Sequence, residues 1–182
     1  MLRPTATALL ALALAWPSAA QEVADSVAPE AAAEIGAEFG GLSDAARAAL
    51  EAKQAGEPTE AQDWMVAAAN PVAVEAGARV LREGGTAADA MVAVQAVLGL
   101  VEPQSSGLGG GAFLVWYDAA SGEVTTLDGR ETAPMEATPT LFQDETGAPL
   151  GFFDAVVGGR SVGTPGTPAL MQAAHEKWGR AD

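Results

Sequence analysis

Residues 65–118 read "MVAAANPVAVEAGARVLREGGTAADAMVAVQAVLGLVEPQSSGLGGGAFLVWYD", and the apolar patterning of this stretch decides the fold. Met65–Ala69 is a short apolar run, which predicts a buried strand. Asn70-Pro71 then places a proline in the first turn of a helix, and Gly84-Gly85 ends that helix. Its core-facing stripe is predicted from apolar residues at three- and four-residue spacing: Val74, Ala78 and Leu81.

A second helix is predicted immediately after these glycines. Thr86 and Asp89 have the spacing of a capping box, and Pro103 stops the helix. From Ala90 to Val101 the only polar side chain is Gln95. A helix that is apolar on nearly every face is expected to be buried inside the fold.

A β-hairpin is predicted next. Residues 112–117 and 123–127 are strand-like runs, and residues 118–122 supply the turn signals between them. Arg130 therefore lies just past the second strand, on a connecting loop. The elements that follow are a short helical turn with Leu141 and Phe142, an exposed loop over residues 144–152, and a helix over residues 168–178 capped by Thr167. This order predicts an α+β fold with a mostly antiparallel sheet.

The N-terminal region predicts export. Residues 1–20, "MLRPTATALLALALAWPSAA", combine Arg3, an apolar run and small residues placed for cleavage before Gln21, which is the pattern of a signal peptide. Residues 21–63 predict a mobile, acidic, alanine-rich lead-in, with one helix over residues 45–54 behind a Ser43 cap. Residues 64–182 form the expected folded domain, in the periplasm or outside the cell.

Composition excludes several function classes. The chain has no Cys and one His, so disulfides, thiolate metal sites and histidine-rich metal sites are excluded, and no cofactor is expected. Nine Lys and Arg against 24 Asp and Glu give a net charge of −15, which argues against nucleic acid and anionic membrane surfaces. An anionic substrate must therefore be held by one or two local cations.

The glycine run "GLGGGA", residues 107–112, matches the glycine pattern of dinucleotide-binding loops only formally. That pattern needs a strand before it and a helix after it, whereas here a helix precedes and a strand follows. The glycines instead allow positive φ angles and close backbone approach. Two interpretations stay open: a tight turn into a central strand, or a loop that passes beneath a ligand.

Two sets of polar residues are candidates for chemistry. Ser105 and Ser106 could be nucleophiles, but no base is arranged for them, because His175 lies on the last helix. In "TLDGRETAP", residues 126–134, Arg130 stands between Asp128 and Glu131, both of which should stay ionised beside a cation. Arg130 is either half of a structural ion pair or a bidentate ligand for a carboxylate.

Three separated motifs in unbroken order resemble one family. They are residues 65–118, "TLDGRETAP" and "SVGTPGTPALMQAAHEKWG", residues 161–179. Together they resemble the N-terminal part of the large subunit of gamma-glutamyltranspeptidases, also called glutathione hydrolases.

The resemblance implies an N-terminal-nucleophile hydrolase with an αββα sandwich, made from a precursor that cleaves itself into large and small subunits. The nucleophile is the threonine that begins the small subunit, and its own α-amino group can act as the base. The family's D-x-R-E-x-A-P arginine grips the α-carboxylate of the γ-glutamyl group and maps onto Arg130, with Asp128 and Glu131 as its orienting groups. The family often has an aromatic residue where this chain has Gly129.

The resemblance also implies that this chain is an incomplete large subunit. In the family the nucleophile lies further along, and none of the threonines near the motifs, Thr125, Thr126, Thr164 and Thr167, matches its setting. The expected partners are a glutathione-like γ-glutamyl substrate, the rest of the large subunit and the small subunit. Alternatives are a non-catalytic glutamate-binding or assembly fragment, and a related cephalosporin or glutaryl acylase.

Overall fold

The computed structural model describes residues 41–180 and shows an α+β chain. Five α-helices, one 3-10 turn and two strands occur in this range. In chain order they are α1 (Asp44–Ala55), α2 (Pro71–Arg82), α3 (Ala87–Val101), β1 (Ala112–Asp118), β2 (Glu123–Gly129), α4 (Phe152–Val156), the 3-10 turn (Gly159–Ser161) and α5 (Thr167–Trp178). The predicted signal peptide and residues 21–40 of the lead-in lie outside the described residues.

Helix α1 confirms the helix predicted in the lead-in. The Ser43 hydroxyl accepts a hydrogen bond from the Ala46 amide, and Gly56 closes the helix in the left-handed conformation at φ 73°. Ser43 also donates through its amide and its hydroxyl to the Glu75 carboxylate on α2, at 3.1 Å and 2.6 Å. The lead-in helix is thus tied to the folded domain at its first turn.

Helix α2 begins and ends where its caps predict, but it buries a different face. The Asn70 side chain accepts from the Val72 amide at 3.0 Å, and Pro71 is the first helical residue. Of the predicted stripe only Ala78 is buried, whereas Val74 and Leu81 are half-buried. The buried residues are Val72, Ala73, Ala76, Gly77 and Ala78. Gly77 determines this face, because its lack of a side chain lets α2 and α3 approach closely. A Cβ atom on Gly77 would lie 2.6 Å from the Val94 Cγ2.

The predicted buried strand Met65–Ala69 is wrong. These residues belong to no strand, and Met65, Ala67 and Ala69 are exposed while Val66 and Ala68 are half-buried. Their alternation is that of an extended segment, but a strand needs a backbone partner. The sheet in residues 41–180 has two strands, which pair with each other, so the segment runs instead along a groove beside α1.

Helix α3 confirms the capping box but not the predicted burial. Thr86 and Asp89 bond reciprocally, side chain to backbone. Only Ala88, Asp89 and Ala90 are buried, and Leu100 is 70% exposed. The helix packs against α2 and, near its start, against α5, and most of its residues after Ala90 are half-buried.

Strands β1 and β2 form the predicted antiparallel hairpin, in the register Ala112↔Gly129 to Asp118↔Glu123. One face packs under α5, where the rings of Trp116 and Trp178 stack with centroids 4.6 Å apart. The other face is open, and its apolar residues are exposed: Phe113, Val115, Tyr117 and Val124.

The C-terminal part of the chain differs from prediction in two details. Helix α5 begins at Thr167, with Gly166 as its N-cap and no side-chain cap, so the predicted Thr167 cap is wrong. The Thr167 hydroxyl is buried instead of reaching back to the helix amides, because the residue is already in the first turn. Helix α4 was not predicted. Gly151, which precedes it, provides no side-chain cap, so the sequence gives no signal that the exposed loop ends at Phe152. Within residues 41–180 no helix is long and apolar enough to span a bilayer.

Candidate functional site

The glycine run, residues 107–111, contacts the loop that carries Arg130, and the lack of a side chain at Gly111 makes this contact possible. A Cβ atom on Gly111 would lie 2.6 Å from the Glu131 Oε2 and 2.8 Å from the Arg130 Cα. None of the glycines at 107–111 uses a positive φ angle, so that part of the expectation is wrong. Close backbone approach is the property that this loop requires, and it is met at Gly111.

The start of α5 closes the same junction from the other side. The Gly110 carbonyl accepts hydrogen bonds from the amides of Gly166 and Thr167 at 3.0 Å and 3.2 Å. A Cβ atom on Gly166 would lie 2.8 Å from the Arg130 carbonyl oxygen. The glycine run, the end of β2 and the start of α5 are therefore in backbone contact.

A short antiparallel bridge extends this contact. The Thr164 amide donates to the Thr132 carbonyl at 2.8 Å, and the Thr132 amide donates to the Thr164 carbonyl at 3.3 Å. A Cβ atom on Gly163 would lie 3.0 Å from the Glu131 Cβ. The motifs that are separated in sequence, "GLGGGA", "TLDGRETAP" and "GTPGT", thus form one junction around Arg130 and Glu131.

Arg130 stands on the surface of this junction, immediately after β2. It is exposed, and its backbone amide donates to the Asp128 Oδ1 at 3.0 Å. The three ion pairs found in the described part of the chain lie elsewhere, and none includes Arg130, Asp128 or Glu131. The Asp128 carboxylate thus fixes the loop through the backbone. The roles of Arg130, Asp128 and Glu131 toward a substrate stay predictions.

A polar cleft of about 510 Å³ lies beside the junction. The Glu131 side chain reaches it from one side, and Gln95 of α3 donates to the Ser106 hydroxyl at 2.9 Å from the other. From the sequence, Gln95 stands out only as the one polar side chain between Ala90 and Val101. Its contact with Ser106 explains why that position is polar.

Ser105 and Ser106 line the cleft, but the lone histidine is engaged elsewhere. His175 Nδ1 lies 3.0 Å from the Asp89 carboxylate, at the start of α3. The same carboxylate accepts from the Arg180 amide at 3.0 Å. His175 therefore holds the end of α5 against α3, in agreement with the prediction that it forms no triad with the serines.

A buried hydrogen-bond cluster underlies the cleft and was not predicted. The Glu102 carboxylate is buried and accepts from the side-chain amides of Asn70 at 3.0 Å and of Gln104 at 2.6 Å. Its backbone carbonyl accepts from the amides of Ser105 and Ser106. Glu102 follows a helix at the boundary of a loop, where a carboxylate is usually solvated, so no sequence signal marked it.

No cluster of three or more His, Asp or Glu side chains that could hold a metal ion occurs between Gly41 and Arg180. The junction and the adjoining cleft offer a guanidinium, carboxylates and hydroxyls. Such a set can bind a small zwitterionic or anionic molecule through charge-assisted hydrogen bonds.

Comparison with known proteins finds the family that these motifs resemble. The family model described as gamma-glutamyltranspeptidase matches residues 73–182. The glutathione hydrolase proenzyme of Bacillus subtilis strain 168 is 48% identical over 118 residues, covering 65% of this chain and 20% of that protein. The glutathione hydrolase proenzyme of Escherichia coli K12 is 38% identical over 122 residues, covering 67% and 21%. The chain thus spans about a fifth of the length of these relatives.

Solved structures show the same relationship in three dimensions. The Helicobacter pylori gamma-glutamyltranspeptidase superposes with a TM-score of 0.64 at 37% identity, covering 69% of this chain and 35% of that one. The Pseudomonas nitroreducens gamma-glutamyltranspeptidase gives a TM-score of 0.62 at 33% identity, covering 67% and 36%. The fold is therefore part of the one these enzymes adopt, and the chain belongs to the gamma-glutamyltranspeptidase family.

Proposed function

We propose that this chain supplies the carboxylate-binding part of an exported γ-glutamyl hydrolase or transferase that acts on glutathione and related γ-glutamyl amides. Arg130 binds the α-carboxylate of the γ-glutamyl group through two parallel hydrogen bonds. Asp128 and Glu131 orient the loop that carries it. The observation that carries this proposal is the exposed Arg130, free of ion pairs with the described residues, on the junction of the three motifs.

The electrostatic setting supports Arg130 as the anchor. The chain carries a net charge of −15, so a carboxylate approaching at random meets repulsion and is retained only where a cation is presented without a competing partner. Asp128 directs its Oδ1 to the backbone amide of Arg130. This bond leaves the guanidinium available to a ligand.

The catalytic nucleophile belongs, in this proposal, to sequence outside residues 1–182. A threonine there attacks the γ-carbonyl, an acyl-enzyme forms as the amine leaves, and water or an amino acid accepts the glutamyl group. The relatives named as proenzymes are about five times as long as the matched segment. The rest of the large subunit and a small subunit are the proposed partners, and the present chain alone is expected to release no amine from a γ-glutamyl anilide.

Calorimetric titration with L-glutamate tests the anchor. The parent chain is expected to bind L-glutamate weakly, and Arg130→Ala to abolish that binding. Arg160→Ala removes an exposed cation in the 3-10 turn and serves as the matched control. Equal binding by the parent and Arg130→Ala would refute the assignment of Arg130.

A second titration distinguishes the carboxylate that is recognised. 4-Aminobutyrate lacks the α-carboxylate, so it should bind neither the parent nor Arg130→Ala if Arg130 holds that group. Binding of glutarate as tight as that of L-glutamate would instead favour the acylase alternative. Glutamate binding by a chain that gains no activity when joined to its missing partners would favour the non-catalytic alternative.

Export is tested separately. Fusion of residues 1–20 to a reporter is expected to carry the reporter across the inner membrane of a bacterial host. Replacing the apolar run between Ala8 and Trp16 with polar residues should keep the reporter inside. Retention of both reporters in the cytoplasm would contradict the proposal.

A further inference from the structure

A small apolar crevice opens where the described chain begins. Its volume is about 240 Å³, and its lining holds one cation, Arg79, and one carboxylate, Glu75, both from α2, among apolar residues. The other lining residues come from the chain entry, from α2 and from α3, and include Gly41, Leu42, Val72, Ala76, Val97 and Leu100. We call this feature the α2–α3 crevice.

The α2–α3 crevice borders apolar surface that α3 leaves uncovered. Leu100 is 70% exposed, and Val97 and Val101 are half-buried. Burying such side chains stabilises a chain in proportion to the area removed from water. Insertion of an apolar side chain from a nearby segment into the crevice would therefore stabilise the chain.

We propose that the α2–α3 crevice is the docking surface for residues 35–39 of this same chain, with Phe39 inserted against Leu100. Phe39 precedes Gly41 by two residues, so their Cα atoms lie at most about 7 Å apart. Gly41 itself lines the crevice. Ile35 and Phe39 are the only large apolar residues between positions 28 and 40, so the nearest available chain carries the required side chains.

Charge selects the same segment. Arg79 is exposed and forms no ion pair with any residue of the described range. Glu34 and Glu38 each stand next to one of the two apolar residues. The Glu75 carboxylate in the lining is already bonded by Ser43 and Arg82. Docking of Phe39 therefore brings Glu34 and Glu38 towards Arg79, the cation of the crevice, which favours this segment over a neutral or basic partner.

Disulfide trapping in the full 182-residue chain tests the proposal, because the native sequence has no Cys. Phe39→Cys is combined with Leu100→Cys, or, as the control, with Arg47→Cys. Arg47 donates to the Leu42 carbonyl, so it also lies near the chain entry, but it does not line the crevice. The 39–100 pair is expected to oxidise about tenfold faster than the 39–47 pair, because docking raises the local concentration of the two thiols.

Equal rates for the two pairs, or faster oxidation of the 39–47 pair, would overturn the proposal. Disulfide-linked dimers as the main product would also overturn it, because a second copy would then occupy the crevice.

Amide hydrogen exchange gives a second readout that does not need cysteines. Phe39→Asp is expected to accelerate exchange at residues 97–101 several-fold, while Val27→Asp, the same class of change further from the crevice, leaves it unchanged. Circular dichroism checks that both variants keep their helices. Unchanged exchange in folded Phe39→Asp would refute the docking of Phe39.

Discussion

Gly129 lies directly against Leu170. A Cβ atom on Gly129 would lie 2.6 Å from the Leu170 Cβ and 2.8 Å from its Cδ1. Gly129 ends β2 opposite Ala112, and Leu170 is a buried residue of the first turn of α5. The close contact lets α5 sit on the end of the hairpin, and this brings Gly166 to the backbone of Arg130. An aromatic residue, which the family often has at this position, would require α5 to move.

Gly129→Ala is therefore expected to destabilise the fold by about 1–3 kcal/mol, because the added methyl group overpacks a contact that has no free space. Thermal unfolding measures the change. Gly109→Ala is the matched control, since nothing lies within 4 Å of a Cβ atom there. Equal melting temperatures for both variants would contradict the close contact between Gly129 and Leu170.

Gly111→Ala should displace the Arg130 loop. Its methyl group would meet the Glu131 amide nitrogen at 2.7 Å and the Arg130 Cα at 2.8 Å, and backbone atoms cannot swing aside as a flexible side chain does. We expect L-glutamate binding to weaken on the order of tenfold, because a small misplacement of an anchoring group costs much of its interaction.

Gly107→Ala offers the control for this change, in the same loop and with open space around it. Calorimetry compares the two variants with the parent. If Gly111→Ala bound L-glutamate as the parent does, the close approach of the two loops would not determine the position of Arg130.

The local elements of this chain could be predicted from sequence because their ends are set by local chemistry. The Asn70-Pro71 start of α2 and the Thr86 and Asp89 capping box of α3 depend on bonds within one turn. The hairpin depends on alternation and a turn. Arg130 was placed correctly after β2 for the same reason, since strand ends follow from these patterns.

The predictions that were wrong concern features that depend on contacts between distant segments. Met65–Ala69 has the composition of a strand, but strand formation depends on a partner, and none pairs with it in residues 41–180. The buried face of α2 is set by the fit of Gly77 to Val94, which spacing alone does not reveal. The junction around Arg130 likewise depends on glycines that permit contact between segments far apart in sequence. The sequence therefore shows the motifs, but it does not show that they contact one another.

Acid is expected to release α1 from α2. Burial disfavours the ionised form of Glu75, but hydrogen bonds from Ser43 and Arg82 outweigh this effect and hold the Glu75 pKa below its ordinary value of 4.5. Because the folded pKa is lowered, the stabilisation is present above pH 4.5 and is lost as the pH falls through the folded pKa.

Amide exchange in α1 across this pH range measures the release. Protection should fall below pH 4.5 in the parent, and Glu75→Gln should show reduced protection already at neutral pH. Glu51→Gln, on the exposed side of α1, is the control. Protection that is independent of pH in the parent would show that the Ser43 and Glu75 bond does not anchor the helix.

The open face of the hairpin is expected to limit the stability of this chain as a monomer. Phe113 is 66% exposed and Val115 is 72% exposed on β1. Each strand of the hairpin has one edge that pairs with no other strand of residues 41–180. A contiguous apolar face beside free strand edges favours association. The net charge of −15 opposes association but does not cover the face. We therefore expect concentration-dependent association and a low melting temperature.

Val115→Glu should increase the monomer fraction measured by size exclusion with light scattering, because it places a carboxylate on the open face opposite Thr126. Leu114→Glu is the matched control. The Leu114 side chain points to the face under α5, so a charge at this position should unfold the hairpin. A parent chain that stays monomeric and melts in one sharp transition would show that the face needs no cover. In that case the hairpin, α5 and the junction around Arg130 would form a domain that is stable without the rest of the protein.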